Sequence, residues 1–323
     1  MAWTSGTSTN ASDLFDKLIT FLTTNASLVA AGEAWTLLRR DTFTADTKRD
    51  LAELRGPGSS AGDAIYVQIS LLADAAAPAY SIRVLGSQSW LSSTPIINPE
   101  SQPGSIQSGA GSLGILPRMP IFNSAISYWF IANGRRFMVI AKSSAYWGSL
   151  YAGFLMPYAT PSQYPYPLFI GANTSRGDNY QSADLDIAGS ALWRNDGEFS
   201  AFGAGLLQPS GGWIGTNRFD STYTGRTWPW AMSLEARKIS LGRFELGALT
   251  QLPSGESPLL PAILYNAAST MPFTIWGELQ GVYAVPGFGV AAGDTVTASG
   301  KSHLVVQAAS STNAARFAAF ELI

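Results

Sequence analysis

The sequence predicts a mainly β protein: antiparallel strands arranged as sandwich-like lobes, with a short helical element at the N-terminus. Three observations carry this. Runs of roughly four to eight residues rich in β-branched and aromatic side chains recur along the chain, bounded by Gly, Pro, Asn and Ser. Residues 127–141 join two apolar runs through Asn133-Gly134, a strong short-range hairpin signal. The clearest helical periodicity is confined to residues 12–22.

In that first segment Leu14, Phe15, Leu18, Ile19 and Leu22 fall on one stripe of 3.6-residue period. Ser12 is a candidate N-cap, and Asp13 and Asp16 suit the positive end of the helix dipole. Asn25 and Gly32 bracket a second short helix over residues 26–31. The pair either packs on a sheet edge or docks onto another chain. In the second case Leu14, Phe15 and Leu18 are the interface residues.

Residues 34–39 and 63–70 read as strands; in the second, Ile65, Val67 and Ile69 alternate with Tyr66 and Gln68. Between them, residues 40–55 carry the densest charge in the chain and read as a solvated loop or short helix. Residues 80–85 form another strand. Residues 92–117 are Ser-, Gly- and Pro-rich without a clear period, which suits an extended arm or a linker.

Asn-Gly favours positive φ at both central positions of a type I′ turn. Placing Asn133 and Gly134 there pairs Phe130 with Phe137 and Trp129 with Met138. Both faces of that hairpin are apolar, so it belongs in the middle of a sandwich or between subunits. Residues 151–156 continue the sheet. Residues 157–167 then hold four prolines among Tyr158, Tyr164 and Tyr166. Proline lacks a ladder donor, so this segment is read as an extended crossing, with those three tyrosines as candidate subunit contacts. Short strands are expected near 191–193, 199–202, 232–234, 239–246, 262–265, 273–277, 281–285, 295–298 and 303–307, with a terminal one within 316–322. The segments so delimited are a helical docking element over 1–32, a first β lobe with its arm over 33–115, and a main lobe over 116–323.

Composition narrows the function. There is no Cys and a single His. That excludes a disulfide framework, a thiol nucleophile and a multi-histidine metal site. A net charge of −2 argues against a nucleic-acid partner, because phosphate binding needs concentrated Lys and Arg. The longest apolar runs are strand-sized, so no membrane insertion is expected. The first residues lack the basic start and apolar run of a signal peptide, so export by that route is not expected. Charged residues make up 13% of the chain, about half the ~25% of an average domain. Either Ser, Thr, Asn and Gln keep the surface polar, or much of it is buried against other subunits.

No catalytic constellation stands out, and no enzyme activity or cofactor is expected. His303 lies on a strand with no nucleophile elbow in the chain, so a structural role is expected. Asp184 and Asp186 would share one face of an extended segment but lack a third acidic partner. Trp213, Trp228 and Trp230 are the candidates for stacking against sugar rings.

Four blocks carry a resemblance. They are Leu54-Arg-Gly-Pro-Gly58 with Asp63-Ala-Ile-Tyr-Val67; residues 127–137, SYWFIANGRRF; residues 158–168, YATPSQYPYPL; and residues 277–289, GELQGVYAVPGFG, followed by Gly293-Asp-Thr-Val and Leu304-Val-Val-Gln307. Together they resemble a family of tailed-bacteriophage virion structural proteins. The resemblance implies a structural subunit of the tail apparatus, at the tail tip or baseplate or at the neck or collar. Its partners would be copies of itself and other virion proteins, and its place the virion, assembled in the host cytoplasm. It implies no catalytic residue. The alternative is a tail protein that binds a host-surface glycan, or a polysaccharide depolymerase.

Overall fold

A computed structural model describes residues 1–42, 48–58, 63–73, 79–93, 102–106, 117–172, 204–215, 225–228, 251–256, 258–266, 274–307 and 317–322. The chain opens with β1 (Ala2–Ser8), α1 (Ala11–Thr24) and the short α2 (Ala26–Ala30). Strands β2 (Thr36–Thr42), β3 (Lys48–Gly56), β4 (Ile65–Ala73), β5 (Ala79–Ser87) and β6 (Arg118–Phe122) follow and pair in that order. Next come β7 (Ile126–Asn133), β8 (Arg136–Ser143), β9 (Tyr146–Phe154), the two-residue β10 (Met156–Pro157), β11 (Leu168–Ala172), β12 (Ala204–Leu207) and β13 (Trp213–Gly215). The last group is β14 (Gly225–Trp228), β15 (Leu260–Asn266), β16 (Thr274–Ala284), β17 (Thr295–Ala298), β18 (Lys301–Gln307) and β19 (Phe317–Glu321).

Among the described residues these strands make three antiparallel sheets. A central sheet has the order β1-β7-β8-β9-β11-β12-β13; a second is the β2–β6 meander; a third runs β14-β15-β16-β19-β18-β17, with β10 added beside β16. The central sheet is apolar on both faces because its strands alternate between two sets of large side chains. Phe130, Phe137, Val139, Leu150 and Phe154 point into a core shared with α1 and the meander residues Leu54, Val67, Ile69 and Val84. Ile131, Met138, Ile140, Tyr151 and Phe169 point into a second core with Leu264, Leu279, Val282, Leu304 and Phe320 of the third sheet. The result is a three-layer β-sandwich.

The predicted hairpin forms as β7–β8, but its register differs. Ala132 pairs with Phe137 and Ile131 with Met138, so Gly134 and Arg135 are the central turn residues. Neither has positive φ. The Asn133 carboxamide oxygen accepts the backbone N–H groups of Arg135 and Arg136 at 2.9 and 3.0 Å, an Asx turn. The turn carbonyls are bound from outside: Gly58 N–H donates to Gly134 (2.8 Å), Phe154 N–H to Arg135 (2.8 Å), and the Trp35 indole to Asn133 (2.9 Å). The shift moves each partner by two residues, so every side chain keeps its expected face. Positive φ at two central residues occurs instead at Ser299 and Gly300, between β17 and β18.

Helix α1 is longer than its apolar stripe. Asn10, not Ser12, is the N-cap: its side chain accepts from Asp13 N–H at 2.9 Å, while the Asp13 carboxylate takes Thr9 N–H at 2.7 Å. For α2 the expected cap holds, Asn25 accepting from Ser27 and Leu28.

Three further expectations are corrected. Residues 40–42 and 48–55 lie in β2 and β3 rather than in a solvated loop, with Arg40, Asp41, Asp50 and Glu53 all partnered. Arg40 binds both Asp50 and Asp16 at 2.5 Å, and buried Glu53 accepts from Trp90 (2.9 Å) and Gln102 (3.3 Å). Residues 102–106 pack back onto the chain, with Ile106 N–H bonded to Gly86. Residues 2–8 form a strand where none was expected. They are polar and lack apolar alternation, but they match β7 residue for residue. Strand β1 thus joins the central sheet, and β6, beyond residue 115, joins the meander. The strands expected near 191–193, 199–202, 232–234 and 239–246 lie outside the described residues.

Candidate interaction surfaces

The apolar stripe of α1 is turned inward. Leu14, Phe15 and Leu18 are fully buried, packed with β1, β7 and the meander, so these three side chains are not available to another chain. Burial of the stripe within the chain's own sandwich satisfies the amphipathic helix without a partner. The tyrosine segment is likewise tied down from within. Tyr164 is buried and donates to the Leu207 carbonyl. Tyr166 donates to Ala64 (2.9 Å) and Ser87 (3.1 Å), bridging to the meander. Burial holds both phenols well above their usual pKa. Tyr158 alone of the three faces solvent, 54% exposed, its hydroxyl 3.2 Å from Glu278.

Of the three candidate sugar-stacking tryptophans, Trp213 is half-buried against Leu85 and Ile106 and donates its N–H to Gly104 at 3.0 Å. The backbone of Trp228 pairs with Ile263 at the outer strand β14. The Trp228 side chain, Trp230, Asp184 and Asp186 lie outside the described residues.

His303 sits in β18, buried, with its ring edge-on to Tyr283 at 5.2 Å. Its Nδ1 has no hydrogen-bond partner among the described residues. Opposite it on β19, Glu321 accepts from Lys301 (2.7 Å) and Tyr283 (3.2 Å). Burial holds the imidazole below its ordinary value of 6.5. Burial also pushes the Glu321 carboxyl up, but the Lys301 ammonium and the Tyr283 hydroxyl outweigh it and hold it below 4.5. Beside this group, Arg136 is fully buried between the central and third sheets. Its guanidinium lies over the Tyr151 ring at 5.9 Å and donates to Met1 Sδ at 3.2 Å. Burial lowers its pKa and pushes the Tyr151 phenol up to about 12.

The lone histidine has a measurable consequence. A folded-state pKa below the unfolded value means that the unfolded chain takes up a proton that the folded sheet refuses. Its contribution is complete above pH 6.5 and is lost as pH falls through the folded value. Glu321 acts in the same direction below pH 4.5. The denaturation midpoint is expected to fall between about pH 7 and 5, and the fall to be smaller in His303→Leu. Since the chain has no other histidine, superimposable pH profiles for the two proteins would refute the assignment.

What the sequence reading passed over is the seam between α1 and the β1–β7 edge. A groove of about 340 Å³ opens there, lined by Tyr128, Phe130 and Thr4 from the sheet and by Phe21, Thr20 and Thr24 from the helix. A usable signal was present: Thr20 and Thr24, four residues apart, share a side of the helix. Among the described residues no helix is long and apolar enough to cross a membrane, and no cluster of three His, Asp or Glu could hold a metal ion. No protein-family model matches the chain, and no curated protein matches it.

Proposed function

We propose that this chain is a structural subunit of a tailed-bacteriophage virion, part of the tail apparatus, acting through contacts with copies of itself and with other virion proteins. The observation that supports this reading is where the family-like blocks lie. Gly58 of the first block bonds to Gly134 of the second. Tyr166 of the third reaches back to Ala64 beside β4. Gly281 of the fourth lies against the Arg136 guanidinium, leaving space that a side chain would fill. The blocks meet inside the sandwich and fasten its layers to one another, as a load-transmitting subunit requires.

The sheets also offer edges. Among the described residues β1, β13, β2, β6, β14 and β17 each have one strand neighbour. The residues of β1 carry neither Lys nor Pro, the devices that discourage strand addition. Low charge suits a subunit whose faces are covered after assembly.

Light scattering on the purified full chain, combined with a particle reconstruction, tests the proposal. A defined oligomer, or one formed on adding a neighbouring tail protein, is expected, with density for the three-layer sandwich in the tail. A strict monomer with no density anywhere in the particle would overturn it.

A further inference from the structure

Strand β1 leaves one edge of the central sheet open. In an antiparallel pair, successive residues turn their N–H and C=O groups alternately toward the partner strand and away from it. The Thr7 carbonyl turns away from β7, because the Lys17 ammonium takes it at 3.1 Å. Trp3 and Ser5 lie in phase with Thr7, so their backbone groups also face outward. Those four groups make no hydrogen bond among the described residues. Trp3, Ser5, Gly6 and Thr7 are exposed, so no described residue covers the edge. The other edges are guarded against strand addition. Strand β2 is bulged and charged at Arg39, Arg40 and Asp41; β6 contains Pro120, and β14 contains Arg226. Strands β13 and β17 are only three and four residues long. Strand β1 has seven residues, no charge, no proline and an unbroken register with β7. Its Trp3 is 42% exposed, on the same face of the sheet as Ile131.

Lys17 closes the edge at Thr7, which leaves Trp3-Thr4-Ser5 as the open stretch. An unstructured peptide would gain few bonds there and lose backbone entropy for each residue it ordered. A second β1 is already ordered by its own β7, and being uncharged it brings no like charge to the edge. Turned about a two-fold axis through Thr4, it sets Trp3 opposite Ser5 of the other copy, and Ser5 opposite Trp3. Each such pair exchanges two backbone hydrogen bonds, so the open groups of both copies are satisfied. The two Trp3 side chains then stand diagonally on one face, about 7–8 Å apart, within the reach of aromatic rings. We propose that two copies of this chain join β1 to β1, antiparallel about Thr4, and so continue the central sheet across a dimer; the pairing rests on the assembly reading and gives its self-contact a place.

Sedimentation velocity and hydrogen–deuterium exchange on the full chain test this. A dimer is expected at ~100 μM, above the micromolar dissociation constants of weak interfaces. In it the Trp3 and Ser5 amides are expected to exchange about tenfold or more slower than in the diluted monomer. Ser5→Lys puts a charge into the pairing, and Ser5→Pro removes an outward N–H that no bond within the chain uses. Each is expected to weaken dimerisation about tenfold or more, with the melting temperature of the dilute monomer little changed. Ser5→Thr is expected to leave the dimer as it is. A monomer at ~100 μM would overturn the pairing. So would an oligomer in which the Trp3 and Ser5 amides exchange freely, or one that both Ser5→Lys and Ser5→Pro leave intact. In those last two outcomes self-association through another surface keeps the assembly reading, which falls only if the chain is absent from the particle.

Discussion

Trp35→Ala is expected to lower the unfolding free energy by about 3–5 kcal/mol, the cost of truncating a core aromatic. Trp35 is 2% exposed just ahead of β2 and touches three parts of the fold at once. Its backbone N–H donates to the Leu22 carbonyl at the end of α1 (2.9 Å). Its ring stands edge-on to Phe137 of β8 at 5.1 Å and 85°. Its indole N–H donates to Asn133, at the end of β7 beside the hairpin turn. Truncation therefore leaves a cavity between helix, meander and central sheet and removes a donor from the turn that sets the hairpin register. Trp35→Phe separates the two effects. It keeps most of the apolar contact and loses the hydrogen bond, so about 1–2 kcal/mol is expected. Urea denaturation of the three proteins decides the matter. A loss under ~1 kcal/mol for Trp35→Ala, the range of surface changes, would show that the ring is not a junction.

The second large effect is expected from a single methyl group. Gly153 lies in β9 with φ of 135°, a conformation that L side chains rarely adopt. A Cβ built there would stand 2.3 Å from the Arg135 carbonyl oxygen and 2.5 Å from the Arg136 Cα. Both are backbone atoms, one in the hairpin turn and one at the start of β8, so no rotamer change relieves the overlap. Gly153→Ala must displace the hairpin turn and the start of β8, which carries buried Arg136, from β9. A loss of roughly 3 kcal/mol or more is expected, appearing as aggregation or a strongly lowered melting temperature. Gly212→Ala is the control. Its φ is not positive and a Cβ there meets nothing closer than 3.8 Å, so a change within about 0.5 kcal/mol is expected. Equal stability of the two variants would mean that β8 and β9 are not held as described.

Both predictions rest on features that the sequence does not display. Asn133-Gly134 is a sound local signal for a type I′ turn, and a hairpin does form there. Its register is set elsewhere, by Gly58, Phe154 and Trp35, which bind the turn carbonyls and favour the Asx turn. The charge run after Arg39 looks solvated until Asp16, 24 residues away on α1, is found beside Arg40. The candidate contacts divide on the same principle. Leu14, Phe15, Leu18 and Tyr164 are apolar or aromatic enough to serve an interface or a core, and periodicity is identical in both cases. Burial decided for the core.

The sequence by itself determined the local content of this protein: antiparallel strands, a hairpin around Asn133-Gly134, a two-faced apolar pair of strands, and two short helices, the second begun by Asn25. These follow from side-chain period and turn chemistry, which act between near neighbours in the chain. Tertiary structure alone decided that β1 extends the central sheet, that three layers stack, and that α1, β1 and β7 meet along one seam. Those outcomes depend on backbone hydrogen bonds and shape fit between segments up to ~130 residues apart, such as the Ala2–Ala132 pairing, and neither quantity is written in the pattern of any one segment.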